Sequence, residues 1–138
     1  MAIHIHRNSD LDKNNSTVHY LPCYIESDGD ANVSKYFQRY IDKDKEKENS
    51  EIVVKASFRG YPLHGQIITL PHNYQGIVLK EMKKPLTEDA ERNFHTTHIF
   101  RSLTYWNWDL QPSRNDAFIS ALDWIDVAEA LHAPVEKD

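Results

Sequence analysis

The sequence has one cysteine, Cys23, and only four glycines in 138 residues. A single thiol excludes an internal disulfide and any four-cysteine zinc site, so a reducing compartment is the simpler expectation. Glycine this scarce sits where the backbone has a particular need. Long apolar runs are also missing: the longest are a few residues, too short for a membrane span or a signal-peptide core, and no membrane partner is expected. Positive charge is in deficit, with 16 Lys and Arg against 21 Asp and Glu, a net −5. Phosphate contacts need a clustered positive field, so a polyanion partner would be held mainly by another chain. No P-loop, HExxH or GxSxG motif is present. Neither a nucleophile with its base nor a carboxylate cluster for two divalent ions can be assembled. The expectation is a chain without catalytic residues, bound cofactor or metal of its own.

What is there centres on Glu51 to Glu81. Ile52, Val54, Ala56 and Phe58 alternate with Val53, Lys55, Ser57 and Arg59, the period of a half-buried strand. Gly60 can take a positive φ, so Arg59-Gly60-Tyr61 predicts a bend or bulge before Leu63-His64-Gly65. A second strand follows through Gln66 to Leu70. Pro71-His72-Asn73 then supplies turn chemistry leading into a third strand, Tyr74 to Glu81. The pattern predicts a three-stranded antiparallel meander.

Around it the chain is less decided. Residues 1–16 are polar and asparagine-rich and read as a flexible tail ahead of a single domain, 17–138. Thr17 to Glu26 is β-branched and aromatic, and Pro22 makes it an edge or bulged strand. Val33, Tyr36, Phe37 and Tyr40 fit a helix, while Val33, Lys35 and Phe37 also alternate, so helix and strand both stand. The charged stretches near 42–50 and 83–93 read as solvated loops. Ile99 to Leu110 is aromatic and β-rich, and Ala117 to Leu122 reads as a last short strand. Trp124, Val127, Ala128 and Leu131 fall at helical spacing, with Asp123 as cap and Pro134 as stop, which predicts a short C-terminal helix.

Chemistry-bearing residues are few. His4 and His6 lack a third ligand nearby in sequence. His64 is the best-placed histidine, yet alone it reads as a hydrogen-bonded structural residue. A strand would separate His95 from His98. Cys23, without an activating partner, reads as buried and inert. Tyr105, Trp106 and Trp108 suit either packing or base stacking, so a free-standing single-stranded nucleic-acid-binding barrel is a second reading. A small hydrolase built on His64 is a third. The total of aromatic surface favours a partner chain covering what this core cannot.

Four segments, taken together, resemble a known family: His19-Tyr20-Leu21-Pro22-Cys23; Ser57-Phe58-Arg59-Gly60 with Leu63 and Gly65; Gly76-Ile77-Val78; and Thr104-Tyr105-Trp106 with Ala121 to Trp124 and Leu131-His132-Ala133. Their order and spacing, across roughly Val18 to Pro134, resemble the non-catalytic C-type chain of eukaryotic ribonuclease H type 2. That three-chain nuclease cuts RNA in RNA–DNA hybrids and nicks DNA at embedded ribonucleotides. The resemblance implies a mainly β fold, a small antiparallel β-barrel interleaved with the B-type chain into a shared triple barrel. It implies a place between the B-type chain and the catalytic A-type chain, with the active-site magnesium in the latter, hybrid met only through the complex, and a nuclear location. Partner-interface or structural roles are expected for Pro22, Cys23, Phe58, Arg59, Gly60, Leu63, Gly65, Trp106, Trp124 and Leu131. Tyr61 and His64 depart from the family pattern, where basic residues are expected.

Overall fold

The computed structural model describes residues 2–10, 15–44 and 51–135. Its strands are β1 (Ile3–His6), β2 (Val18–Tyr20), β3 (Asp42–Asp44), β4 (Ile52–Phe58), β5 (Tyr61–Thr69), β6 (Gly76–Glu81), β7 (Arg92–Phe100) and β8 (Ser102–Trp108). The helices are α1 (Val33–Tyr36), α2 (Ala117–Ala121) and α3 (Asp123–His132), with a 3-10 turn at Gln38–Tyr40. Two sheets result, one in the order β1-β7-β6 and the other β2-β8-β5-β4-β3. Both mix parallel and antiparallel pairs, because β1 joins β7 and β2 joins β8 in parallel. Neither closes on itself, so among the described residues no complete barrel is formed, which corrects that part of the expected fold.

β4 and β5 form the expected hairpin, and its tip is sharper than a bulge. Phe58 pairs with Tyr61, which leaves Arg59 and Gly60 as a two-residue loop with φ of 50° and 81°. Two positive φ values in succession suit the right-handed twist of the flanking strands. Gly60→Ala is therefore expected to cost about 1 kcal/mol, because Cβ disfavours this region. Nothing stands within 4 Å of the site, so the effect is backbone strain alone. An unchanged unfolding midpoint would refute it.

The expected meander is broken at its third strand. β6 does not pair with β5; it pairs with β7, and β8 lies beside β5 instead. Gly65 faces Trp106 across that ladder, and any Cβ there would fall 2.6 Å from the indole. A flat spot for a large ring thus favours β8 as the neighbour of β5. β7 and β8 are separated by Arg101 alone, so one long strand bends from one sheet into the other. The Arg101 guanidinium holds that corner, donating to the carbonyls of Tyr74 (3.2 Å) and His72 (3.3 Å). Its backbone amide donates to Asn15 Oδ1 at 3.0 Å.

Other expectations are revised locally. Ile3–His6, read as part of a flexible tail, is a strand, while Met1 and residues 11–14 lie outside the described residues. Asp42–Asp44 forms β3 and the rest of that charged stretch, 45–50, also lies outside them. β2 is short and at a sheet edge, as Pro22 predicts. Residues 33–40 resolve into α1 and the 3-10 turn, and Phe37, buried between them, brings them onto the sheet. Ala117–Ala121 is helical rather than extended: it opens with the Ser120 amide bonded to the Asp116 carbonyl. α3 is present, but Asp123 lies in its first turn beside Asp126, where acids complement the helix dipole, and does not cap it. Ala133, just before Pro134, is extended and ends the helix.

The core is small. Val54 on β4, Leu63 on β5, Trp106 on β8 and Phe37 form its buried cluster, with Phe58, Ile67 and Leu21 against it. Phe37 meets Trp106 edge to face at 5.5 Å between ring centroids. The opposite face of the same sheet is covered by α2, where Phe118 stacks on Tyr105 at 5.1 Å and on Tyr20 at 4.9 Å.

Candidate partner interface

Four of the residues singled out from sequence converge in this core. Leu63 and Trp106 are fully buried, Gly65 lies flat beneath the indole, and Phe58 packs at the edge. Trp106 Nε1–H donates to His19 Nδ1 at 3.2 Å, which satisfies a group that would otherwise be buried without a partner. His19 Nε2 lies 3.4 Å from the Gln38 side-chain amide. His19, a partner the spacing does not reveal, must keep Nδ1 bare to accept from the indole.

Burial lowers the His19 pKa below its ordinary value of 6.5. The folded chain therefore takes up this proton at lower pH than the unfolded one. The contribution is complete above about pH 6.5 and declines as the pH falls from there towards the folded value. Urea midpoints measured between pH 7.5 and 5.5 should fall for the wild type, and His19→Gln should remove part of that slope. An unaltered slope in the variant would refute this role.

The remaining predicted residues lie elsewhere. Pro22 accepts Trp108 Nε1–H through its carbonyl at 2.8 Å, next to the β4–β5 hairpin that Arg59 and Gly60 turn. Cys23 is exposed, which corrects the expectation of a buried thiol. Trp124 and Leu131 are 70% and 75% exposed, so they do not anchor the fold. α3 instead turns Leu122, at its N-cap, and Ile125 towards Ile68 and Leu70 across a narrow cleft. His64 keeps Nδ1 buried without a partner, contrary to the hydrogen-bonded role expected of it. His6 and His95 stack at 4.8 Å on neighbouring strands. Among the described residues no group of three or more His, Cys, Asp or Glu is placed to hold a metal ion. No helix among them is long and apolar enough to cross a membrane.

The aromatic platform does not form. Trp106 is buried and Phe118 covers Tyr105, which leaves only Trp108 accessible at 39%. What does form is bare apolar surface. In-register pairing puts Ile3, Ile5, Phe94, Leu79 and Ile77 on one face of the three-stranded sheet. Ile3 and Ile5 are more than half exposed there. The Arg92–Glu81 ion pair borders this face with two bonds of 2.9 and 2.7 Å, and it holds the Glu81 carboxyl below the usual carboxylate range. Among the described residues both flanking strands, β1 and β6, are sheet edges. Total exposed area is 11536 Å², whereas a compact monomer of 16.1 kDa exposes roughly 7,400 Å².

Comparison with known proteins gives this surface its context. A sequence profile described as ribonuclease H2 non-catalytic subunit (Ylr154p-like) matches residues 17–131, from just before β2 to the end of α3. The chain belongs to the ribonuclease H2 non-catalytic subunit family. This family member is 25% identical to the C subunit of ribonuclease H2 from Bos taurus, in an alignment covering 99% of the chain and 92% of the relative. It is 26% identical to the C subunit of ribonuclease H2 from Mus musculus, over 88% of the chain and 83% of the relative. An uncharacterized protein of Schizosaccharomyces pombe is 31% identical over 80% of the chain and 79% of its own length. Membership places the chain among non-catalytic subunits of a ribonuclease H2 complex.

Proposed function

We propose that this chain is the assembly subunit of a heterotrimeric type 2 ribonuclease H, joining a B-type partner and the catalytic A-type chain. The complex degrades RNA in RNA–DNA hybrids and removes ribonucleotides embedded in DNA, work done in the nucleus. Its magnesium ions and hybrid-binding groups belong to the catalytic chain. The observation that carries this reading is the bare apolar face of β1, β7 and β6, flanked by two open edges. A partner that adds strands there would cover Ile3, Ile5, Ile77 and Leu79 and complete a barrel shared between chains, the arrangement the open sheets lack. The net charge of −5 agrees with hybrid contact through other chains.

Co-expression with the A-type and B-type chains, size-exclusion chromatography and cleavage of an RNA–DNA hybrid test the proposal. A stable ternary complex that cuts is expected, while this chain alone is inactive and poorly soluble. A soluble monomer that ignores both partners would overturn it.

A further inference from the structure

The tip of the β4–β5 hairpin holds a second surface, separate from the bare sheet face. Phe58, Tyr61 and Trp108 wall an apolar pocket of about 400 Å³, and Arg59 completes its lining. The aromatic walls are fixed. Trp108 is pinned by its bond to the Pro22 carbonyl, and Tyr61 meets it edge to face at 5.8 Å. Arg59 reaches across the Phe58 ring, its guanidinium 5.8 Å from the centroid. No carboxylate among the described residues forms an ion pair with it.

Two independent observations point to a ligand here. The first is the unbalanced positive charge beside an apolar pocket, which suits an apolar side chain flanked by acids. The second is the backbone. Arg59 occupies the first position of a two-residue turn with φ 50°, where asparagine, aspartate or glycine is favoured. A long cationic side chain in that conformation costs fold stability, which its contact with the Phe58 ring offsets only in part. Strain of this kind marks positions kept for what the side chain touches.

We infer that the Phe58–Tyr61–Trp108 pocket receives an aromatic or branched aliphatic side chain from an acidic segment of a partner subunit, and that Arg59 pairs with that segment's carboxylate. The inference rests on the assembly reading and adds to it a site and a partner chemistry. A nucleic-acid ligand is disfavoured because no second basic residue lines the pocket and the whole chain is acidic.

The test uses the co-expressed ternary complex with p-benzoylphenylalanine in place of Tyr61. Photolysis and mass spectrometry should place the cross-link on a partner-subunit peptide carrying Asp or Glu within a few residues of the attachment point. Arg59→Lys should retain the cross-link. Arg59→Glu should lower its yield at least about tenfold and make the complex dissociate at lower salt. Arg59→Asn, which suits the turn, guards against misfolding: the complex should stay soluble while the cross-link falls. Attachment to a basic peptide, attachment only to added RNA–DNA hybrid, or full yield from the Arg59→Glu variant would overturn the pocket assignment and leave the assembly reading intact. Failure of the unsubstituted chain to form any complex would overturn both.

Discussion

Replacing Trp106 with alanine is expected to remove this subunit from any complex. The indole is fully buried between β4, β5 and the Phe37 segment. Truncating a buried tryptophan costs about 3–5 kcal/mol, from lost transfer energy and the cavity left behind. A domain of this size has about 5–15 kcal/mol of stability in all, and one with so small a core stands at the lower end. The substitution also leaves His19 Nδ1 facing an empty space where the indole N–H had been. The soluble yield of co-expressed complex should collapse with Trp106→Ala. Trp106→Phe, which keeps most of the ring, should lose much less. Equal yields for both variants would show that burial of this side chain is not what holds the sheet together.

Gly65→Ala should damage the fold through a single added methyl. The added Cβ would lie 2.6 Å from Trp106 Cε3 and 2.9 Å from Cδ2 and Cζ3, atoms of a fully buried ring. Overpacking of this kind costs about 1–3 kcal/mol. The clash is specific to one partner, so it should disappear when the partner shrinks. In a Trp106→Leu background the same alanine should cost little, and the two substitutions should be strongly non-additive. Additive losses in thermal or urea unfolding would place the damage in the strand backbone.

How far these features can be read from sequence follows the range of the interactions that create them. The β4–β5 hairpin is legible because alternation and a glycine are local signals, and Phe58-Arg59-Gly60-Tyr61 contains its whole turn. The departure at β6 has a non-local cause. Tyr74 to Glu81 has a strand's pattern, but its neighbour is chosen by the ring that must lie over Gly65 and by the corner at Arg101, neither of which alternation reports. Ala117–Ala121 reads as extended because Phe118 and Ile119 are good strand residues, and only the stack on Tyr20 and Tyr105 makes a helix the better way to cover the sheet. Arg101 and His19 escape a sequence reading for the same reason: their partners are 19 or more residues away in sequence. Helical spacing suggests an anchoring role for Trp124 and Leu131. Spacing identifies an apolar stripe without saying whether this chain or another covers it.

The parallel joins at the two N-terminal strands carry a consequence for how the chain is made. β1 pairs with residues 92–95 and β2 with residues 103–105, so each waits for a partner more than eighty residues downstream. On a ribosome adding about 5–20 residues per second, that interval lasts several seconds. Throughout it Ile3, Ile5, Val18 and Tyr20 have no strand to join. Contacts closed across so long a separation also slow folding after release. A nascent subunit of this design is therefore exposed to aggregation before it is complete, and synthesis close to its assembly partners would shorten that exposure.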